Sequence, residues 1–488
     1  MEVTTENNGK IQIRQPKPER GAHLELLSET FAFEGKAVAR REDGYVIFIE
    51  GALANEKITA EITKAKGNFA DAKLIQVLQP SRDRREAICV DFGICGGCSL
   101  LHMKYDAQLY WKKQQVKEIF QRIGKIQDPP VLDTMGAPDR EYHYRNKMEF
   151  SFSEERWLLP EEIASGDVAD RFAIGLHVRG RYDRVIDTEF CHISHPLGNR
   201  ILEVTRLFRD EHKLRVFDPD KNPDGLLRFL VIRNSHSTGE IMINFVTSHY
   251  DEEIMQSYAK FLKKEIPEVT TLINNINSKR AQIAVGEKEF VIFGTGMIND
   301  RIGNANYQIS ANSFFQTNSV QAEELYKVAV DFADLKKNDV LWDLYCGAGT
   351  ITLFAAPNVR SVLGIELAES SIADAHANAE RNNIRNVEFI SSDLRKALLS
   401  PDLLSKYGKP DVLIIDPPRS GMHADVVREI LELAPERISY ISCNPATQAR
   451  DIEMMSEKYS VEALQPVDMF PQTWHIECVA KLRLKQIM

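Results

Sequence analysis

The chain of 488 residues carries 61 lysines and arginines against 71 aspartates and glutamates, a net charge of −10. With 43% hydrophobic and 27% charged residues it has the composition of a folded globular protein of roughly three domains. The charge excludes a chain that coats nucleic acid indiscriminately, although a local basic face suffices for phosphate contacts, and no apolar run approaches the roughly 20 residues that span a bilayer.

The opening Met1–Lys10 is polar and acidic, unlike a secretion signal, so a cytoplasmic location with its seven cysteines reduced is expected. Residues 1–20 read as a flexible lead-in. Over 21–80, short alternating runs at Gly44–Ile49, Lys57–Ile62 and Ala72–Val77 predict a small β-barrel of about five strands, of the oligonucleotide-binding kind. Lys64, Lys66, Lys73, Arg82, Arg84 and Arg85 would either give it a basic rim or be ordinary solvated charges. A helix from about Tyr105 to Ile123 follows, then mixed strands and helices. Residues 81–300 thus form a central α+β domain. Arg145 and Lys147 would either border a substrate pocket or form a charged turn.

From 301 to 488, apolar strands alternate with helical stretches: Asp339–Asp343, Val362–Glu366, Val387–Ile390, Val412–Asp416 and Ile438–Ile441. This rhythm predicts an α/β doubly wound parallel sheet, Rossmann-like. Its first strand runs into Asp343-Leu-Tyr-Cys-Gly347-Ala-Gly349-Thr350, where Gly347 and Gly349 let backbone pass close to a ligand. Glu366 ends the next strand, placed to accept from ribose hydroxyls; Asp393 follows the third and Asp416-Pro-Pro the fourth. Only two of three dinucleotide-fingerprint glycines are present, and the set reads as an S-adenosylmethionine site.

Cys443, in Ser442-Cys443-Asn-Pro445, ends a strand at that same edge. A thiol there suits methylation of a pyrimidine carbon, because addition to carbon-6 makes carbon-5 nucleophilic and a base must then remove the carbon-5 proton. Glu477, in Phe470-Pro-Gln-Thr-Trp-His-Ile-Glu477, is the candidate base, with His475 the weaker alternative. Cys346 and Cys478 read as packing residues. Upstream, Cys89, Cys95 and Cys98 lie within ten residues and Cys191 completes a four-thiolate set. The spacing lacks the second Cys-x2-Cys pair of a zinc ribbon. An iron–sulfur cluster is the first reading and zinc the second.

Together these segments resemble the RNA 5-methyluridine methyltransferases over nearly the whole chain, and specifically their iron–sulfur branch acting on 23S ribosomal RNA. Glu34-Gly-Lys-Ala-Val-Ala and Val46–Leu53 resemble that family's N-terminal TRAM barrel, an RNA-binding module. The resemblance implies Cys89, Cys95, Cys98 and Cys191 as [4Fe–4S] ligands. It implies Cys443 as nucleophile and Glu477 as proton-abstracting base. Gln316, in Phe314-Phe-Gln316-Thr-Asn, joins Tyr345, Glu366, Asp393 and Asp416 as implied cofactor contacts. Thr350 stands where some members carry Asn. In the family the helix after the cluster packs on the catalytic domain, so 101–125 is expected to do so. The expected partner is RNA rather than DNA or membrane, and the expected state a monomer. Rival readings are a transfer RNA uridine methyltransferase, a small-molecule or protein methyltransferase, and a non-catalytic RNA-binding factor.

Overall fold

The computed structural model describes residues 3–5, 11–13, 16–32, 35–166 and 170–486. The expected lead-in falls partly outside these residues, and within them Val3–Thr5 pairs antiparallel with Ile11–Ile13. Glu34 of the TRAM-like segment also lies outside.

Five strands, His23–Phe31, Ala37–Arg40, Val46–Glu50, Lys57–Ala65 and Phe69–Gln79, close into a barrel. Alternation builds its lumen: Ile58, Ala60 and Ile62 point inward between more exposed neighbours. Alanines at 37, 39, 60, 70 and 72 keep the core narrow enough for so few strands to close around it. Of the six cations read as a basic rim, Lys64, Lys66, Lys73 and Arg82 are exposed. Arg84 instead turns inward to Glu56, which is 0% exposed, at 2.5 Å from its Nε, and Arg85 reaches Glu141 and Gln472. Those two brace the barrel against its neighbours.

The central unit is a six-stranded sheet in the order 288–293, 271–276, 241–247, 227–234, 147–153, 173–175. Its three middle strands are buried throughout, which explains their near-continuous apolar sequence. Helices Pro196–His212 and Glu252–Glu265 pack on one face through Phe208, Met255 and Tyr258.

The C-terminal sheet has seven strands in the order 387–391, 361–366, 340–344, 412–415, 437–442, 477–484, 459–467. The first five are parallel, as expected. Strand 477–484 runs antiparallel to both its neighbours, 437–442 and 459–467, so the sheet is mixed rather than wholly parallel. Helices cover both faces, giving two cores on either side of the sheet. Strand order reverses between 340–344 and 412–415, the place where open α/β sheets bind ligands. The antiparallel edge is not left bare: Leu132 and Met135 donate backbone bonds to Leu464 and Pro466. Helix Tyr105–Arg122 also lies against this edge, where Lys112 Nζ meets Asp468 at 2.6 Å, both buried. Among the described residues no helix is long and apolar enough to cross a membrane.

Candidate active site

The loop after strand Val340–Leu344 bends through three left-handed residues, Tyr345 (φ 65°), Gly347 (φ 53°) and Gly349 (φ 77°). The two glycines serve different ends. A side chain at Gly349 would press on Phe389 at 2.9 Å, whereas one at Gly347 meets nothing within 4 Å. Gly349 is therefore there for packing, and Gly347 leaves open space. Glu366 ties the loop to the next strand: one oxygen accepts from Gly347 N at 3.3 Å, the other from Leu367 N and Ala368 N. Tyr345, Glu366 and Asp393 line one cavity of about 440 Å³, closed on the far side by Pro418 and Gly421–His423.

Asp393 caps helix Leu394–Ala397 and binds Arg395 at 2.5 Å, which holds its carboxyl down at about 2. Its oxygens are thus largely committed. Asp343 is wholly buried; Thr352 donates to one oxygen at 2.6 Å and the other has no partner among the described residues. Burial pushes its carboxyl up to about 7. A nucleoside-sized cavity edged by Tyr345 and by the strand-end acids Glu366 and Asp393 fits S-adenosylmethionine. Gln316 and Asp416 do not line that cavity. They meet instead at Tyr326, a buried phenol that hydrogen-bonds Gln316 and Thr350. Tyr326 sits on a helix, Ser319–Ala333, with no motif to mark it.

The thiol and the base come together through strand register. Strand Arg437–Ser442 pairs antiparallel with Glu477–Leu484, with Ser442 opposite Cys478. One step further places Cys443 opposite Glu477. Asn444 holds the turn by capping helix Pro445–Met455, accepting from Ala446 N at 3.1 Å. Its amide also donates to Arg419 O, so the Asp416–Arg419 loop is fastened beside the thiol. Burial, then Glu477 and Asp416, push the Cys443 thiol up to about 11, opposed by Arg419. Glu477 is raised well above the carboxylate range by burial and Asp416, and Asp416 rises to about 7 by burial. His475 is pushed down to about 4 by burial and the cations Arg419, Lys112 and Arg145. That makes it a neutral imidazole engaged with Arg419 at 3.4 Å. Arg419 completes the cluster. It was visible only as the last residue of Asp416-Pro-Pro-Arg419. Cys346 and Cys478 are buried.

A buried hub fixes the segment leading to Glu477. Gln472 is 0% exposed and left-handed at φ 68°. Its carbonyl accepts from Ser99 N and Leu100 N, its amide oxygen from Arg85 and Gln108, and its amide nitrogen donates to Glu141 at 2.8 Å. Ser99 Oγ accepts from Trp474 N at 3.0 Å. The Cys98 loop is thus bonded directly to the segment that leads into Glu477.

Cys89, Cys95, Cys98 and Cys191 line one small, mostly apolar cavity. Gly97 N donates to Cys95 Sγ at 3.4 Å, and Gly96 packs so closely on His177 O that a side chain would reach 3.2 Å. Asn199 secures Cys191 through its backbone. Burial raises all four thiols. Among the described residues no three His, Cys, Asp or Glu side chains converge closely enough to hold a single metal ion. Arg145 lies between this cavity and the active site, near Cys98, Cys191 and His475, its guanidinium 5.9 Å from the Phe470 ring.

A mixed three-layer sheet with acid-tipped strands, and a thiol facing a half-buried glutamate at its edge, define a cofactor-dependent group-transfer enzyme. Comparison with known proteins makes this specific. The family model described as tRNA (Uracil-5-)-methyltransferase matches residues 226–485, and the TRAM domain model matches residues 17–75. An uncharacterized RNA methyltransferase of Chlorobaculum tepidum is 41% identical over 475 residues, covering 96% of this chain and 98% of that protein. Another from Bacteroides thetaiotaomicron is 38% identical, covering 93% and 100%. The crystal structure of Pyrococcus abyssi tRNA (uracil-54, C5)-methyltransferase in complex with S-adenosyl-L-homocysteine aligns at a TM-score of 0.72 and 25% identity, covering 94% of this chain and 100% of that one. The chain belongs to the RNA uracil-5-methyltransferase family, with an N-terminal TRAM barrel, and is an S-adenosylmethionine-dependent enzyme of that class.

Proposed function

We propose that the enzyme methylates carbon-5 of one specific uridine in RNA through a covalent bond to Cys443. The observation that carries this reading is Cys443 facing Glu477 across two adjoining strand ends, with Asp416 and Arg419 beside them. The donor supplies an electrophilic methyl group on a sulfonium. Cys443 Sγ, its proton passed to Asp416, adds to carbon-6 of the uracil, and the π electrons shift so that carbon-5 bonds the methyl group while the sulfonium sulfur leaves as a neutral thioether. Glu477 then takes the carbon-5 proton, the carbon-6–sulfur bond breaks, and the ring double bond and the thiolate are restored. Gly347, Tyr345, Glu366 and Asp393 would hold the nucleoside part of the donor, and Gln316 and Asp416 the region nearer the reacting carbon. The barrel would hold RNA while the target base is flipped into the pocket, all within the cytoplasm.

The four cysteines are proposed to hold a [4Fe–4S] cluster. Four thiols lining one cavity, with Gly96 and Gly97 letting backbone pass close beside them, support this reading, and zinc is the alternative. The target is proposed to be 23S ribosomal RNA. A second reading, transfer RNA, is favoured by the likeness in fold to the Pyrococcus abyssi tRNA (uracil-54, C5)-methyltransferase. One experiment tests chemistry and target together. The protein is incubated with S-adenosylmethionine and 5-fluorouridine-substituted ribosomal or transfer RNA, and denaturation-resistant conjugates are sought. Fluorine cannot leave as a proton, so the complex stalls. A conjugate on ribosomal RNA that Cys443→Ala abolishes is expected. A conjugate on transfer RNA alone would replace the target, and none on any RNA would overturn the covalent route.

A further inference from the structure

The two faces of the central sheet differ in kind. One is apolar and packs on helices through Leu230, Ile232, Ile243 and Phe245. Alternation puts Lys147, Glu149, Val231, Arg233 and Asn244 on the other, with Glu149 and Asn244 on either side of Val231 and Lys147 beside Arg233. This face floors a cavity of about 260 Å³, walled by Gln282–Val285 on one side and Ala311–Asn312 on the other. Asn244 is 1% exposed and lines this cavity, and its buried amide oxygen has no partner among the described residues. Buried acceptors in native proteins are as a rule satisfied, so this one marks a place for a donor. Lys147 Nζ lies 3.8 Å from Glu149 at the rim.

The cavity shares a wall with the active site. Arg233 donates to the carbonyls of Ala311 and Ser313, fixing the loop that continues into Gln316. Asn146, adjoining Lys147, donates to the carbonyls of Gln316 and Thr317.

We propose that this cavity is a second nucleobase site, taking an unpaired base with an exocyclic amino group, adenine or cytosine, that flanks the target uridine on the same RNA strand. The inference rests on the reading of the chain as an RNA uridine methyltransferase. Val231, Ile283 and Val285 offer an apolar surface to the face of the base. Asn244 Oδ1 and Glu149 accept from an amino group, which uracil lacks, and Lys147 pairs with the phosphate.

The test uses the full chain and single-stranded RNAs with a central uridine and 8-azidoadenosine at successive flanking positions. After irradiation, labelled peptides are mapped by mass spectrometry. One flanking position is expected to label Gln282–Val285 or Asn312. Asn244→Leu should lower that labelling about tenfold and raise KM for RNA similarly, with kcat within about twofold. Glu149→Gln, an exposed change that does not threaten folding, should act in the same direction. Labelling of those peptides by no position, although the RNA is retained, would overturn the proposal. So would displacement of the label by free AMP as effectively as by unlabelled RNA, since the site would then serve a free nucleotide. Labelling is read without turnover. Intact labelling without methylation would count against the covalent chemistry and leave the second site standing.

Discussion

Among single residues, burial and neighbouring acids push both Cys443 and Glu477 toward their neutral forms. The Cys443 thiol is pushed up to about 11, and burial and Asp416 raise the Glu477 carboxyl well above its ordinary value, which makes it a stronger proton acceptor once ionised. Crowding Asp416, Glu477 and Cys443 in one low-dielectric edge penalises every added negative charge, and Arg419 is the cation placed to offset it. Asp416, raised to about 7, is protonated below that pH and ionised above it, so its capacity to accept a proton appears as pH rises. Conjugate formation with 5-fluorouridine RNA is therefore expected to climb as pH rises through about 7. A flat profile across this window in single-turnover assays would remove Asp416 and Cys443 ionisation from the rate. Glu477→Gln should form the conjugate with ordinary uridine RNA and fail to release it, because the carbon-5 proton stays. Trapped complex on a denaturing gel is the readout, and free turnover would make His475 the base.

At the level of elements, the helix Tyr105–Arg122 and the C-terminal edge of the catalytic sheet are locked by charges hidden from water. Lys112 and Asp468 are separated by 356 residues in sequence and meet at 2.6 Å with almost no exposure. Removing one partner strands the other, so Lys112→Met is expected to cost about 3–5 kcal/mol, and Lys112→Met with Asp468→Leu to recover much of it. Denaturant midpoints of the two variants decide this; equal loss in both would mean packing, not charge, dominates. Gln472 works at the same scale. Its amide satisfies Arg85, Gln108 and Glu141 at once, and it holds a left-handed backbone just ahead of His475 and Glu477. Gln472→Met should lower kcat about tenfold with little change in KM for S-adenosylmethionine, since it loosens the base and not the cofactor cavity. An unchanged kcat would reduce the hub to a folding element.

At the scale of the whole molecule, three units converge on one short stretch. Trp474 packs under Gly35 of the barrel, Phe470 joins the cores of both the central and catalytic sheets, and the Cys98 loop bonds to Gln472. The cysteine cavity therefore borders the path between the TRAM barrel and Glu477. Loss of a group bound there should lower the thermal midpoint by several degrees and loosen the approach to Glu477, while binding of S-adenosylmethionine persists. Anaerobically purified protein is expected to carry about four irons and four sulfides per chain, which Cys98→Ser strips. One zinc and no sulfide would replace the cluster.

The sequence by itself determined the parts and their chemistry. Period-two alternation marked the barrel strands around Ile47, Ile58 and Ile62, and buried runs such as Val340–Leu344 marked the parallel sheet, because side-chain periodicity is local information. The Gly347 turn, the strand-end acids and Cys443-Asn-Pro were legible for the same reason. Only the tertiary structure decided which parts meet. It inserted the last strand antiparallel beside 437–442, which sets Cys443 opposite Glu477. It brought Cys191 to the three upstream cysteines and drew Arg84 and Arg85 inward. It placed Tyr326, Arg419 and Gln472 around chemistry that no spacing had connected to them. Those relations depend on strand order and register across hundreds of residues, and they are fixed by the burial of shared surfaces, which no local pattern encodes.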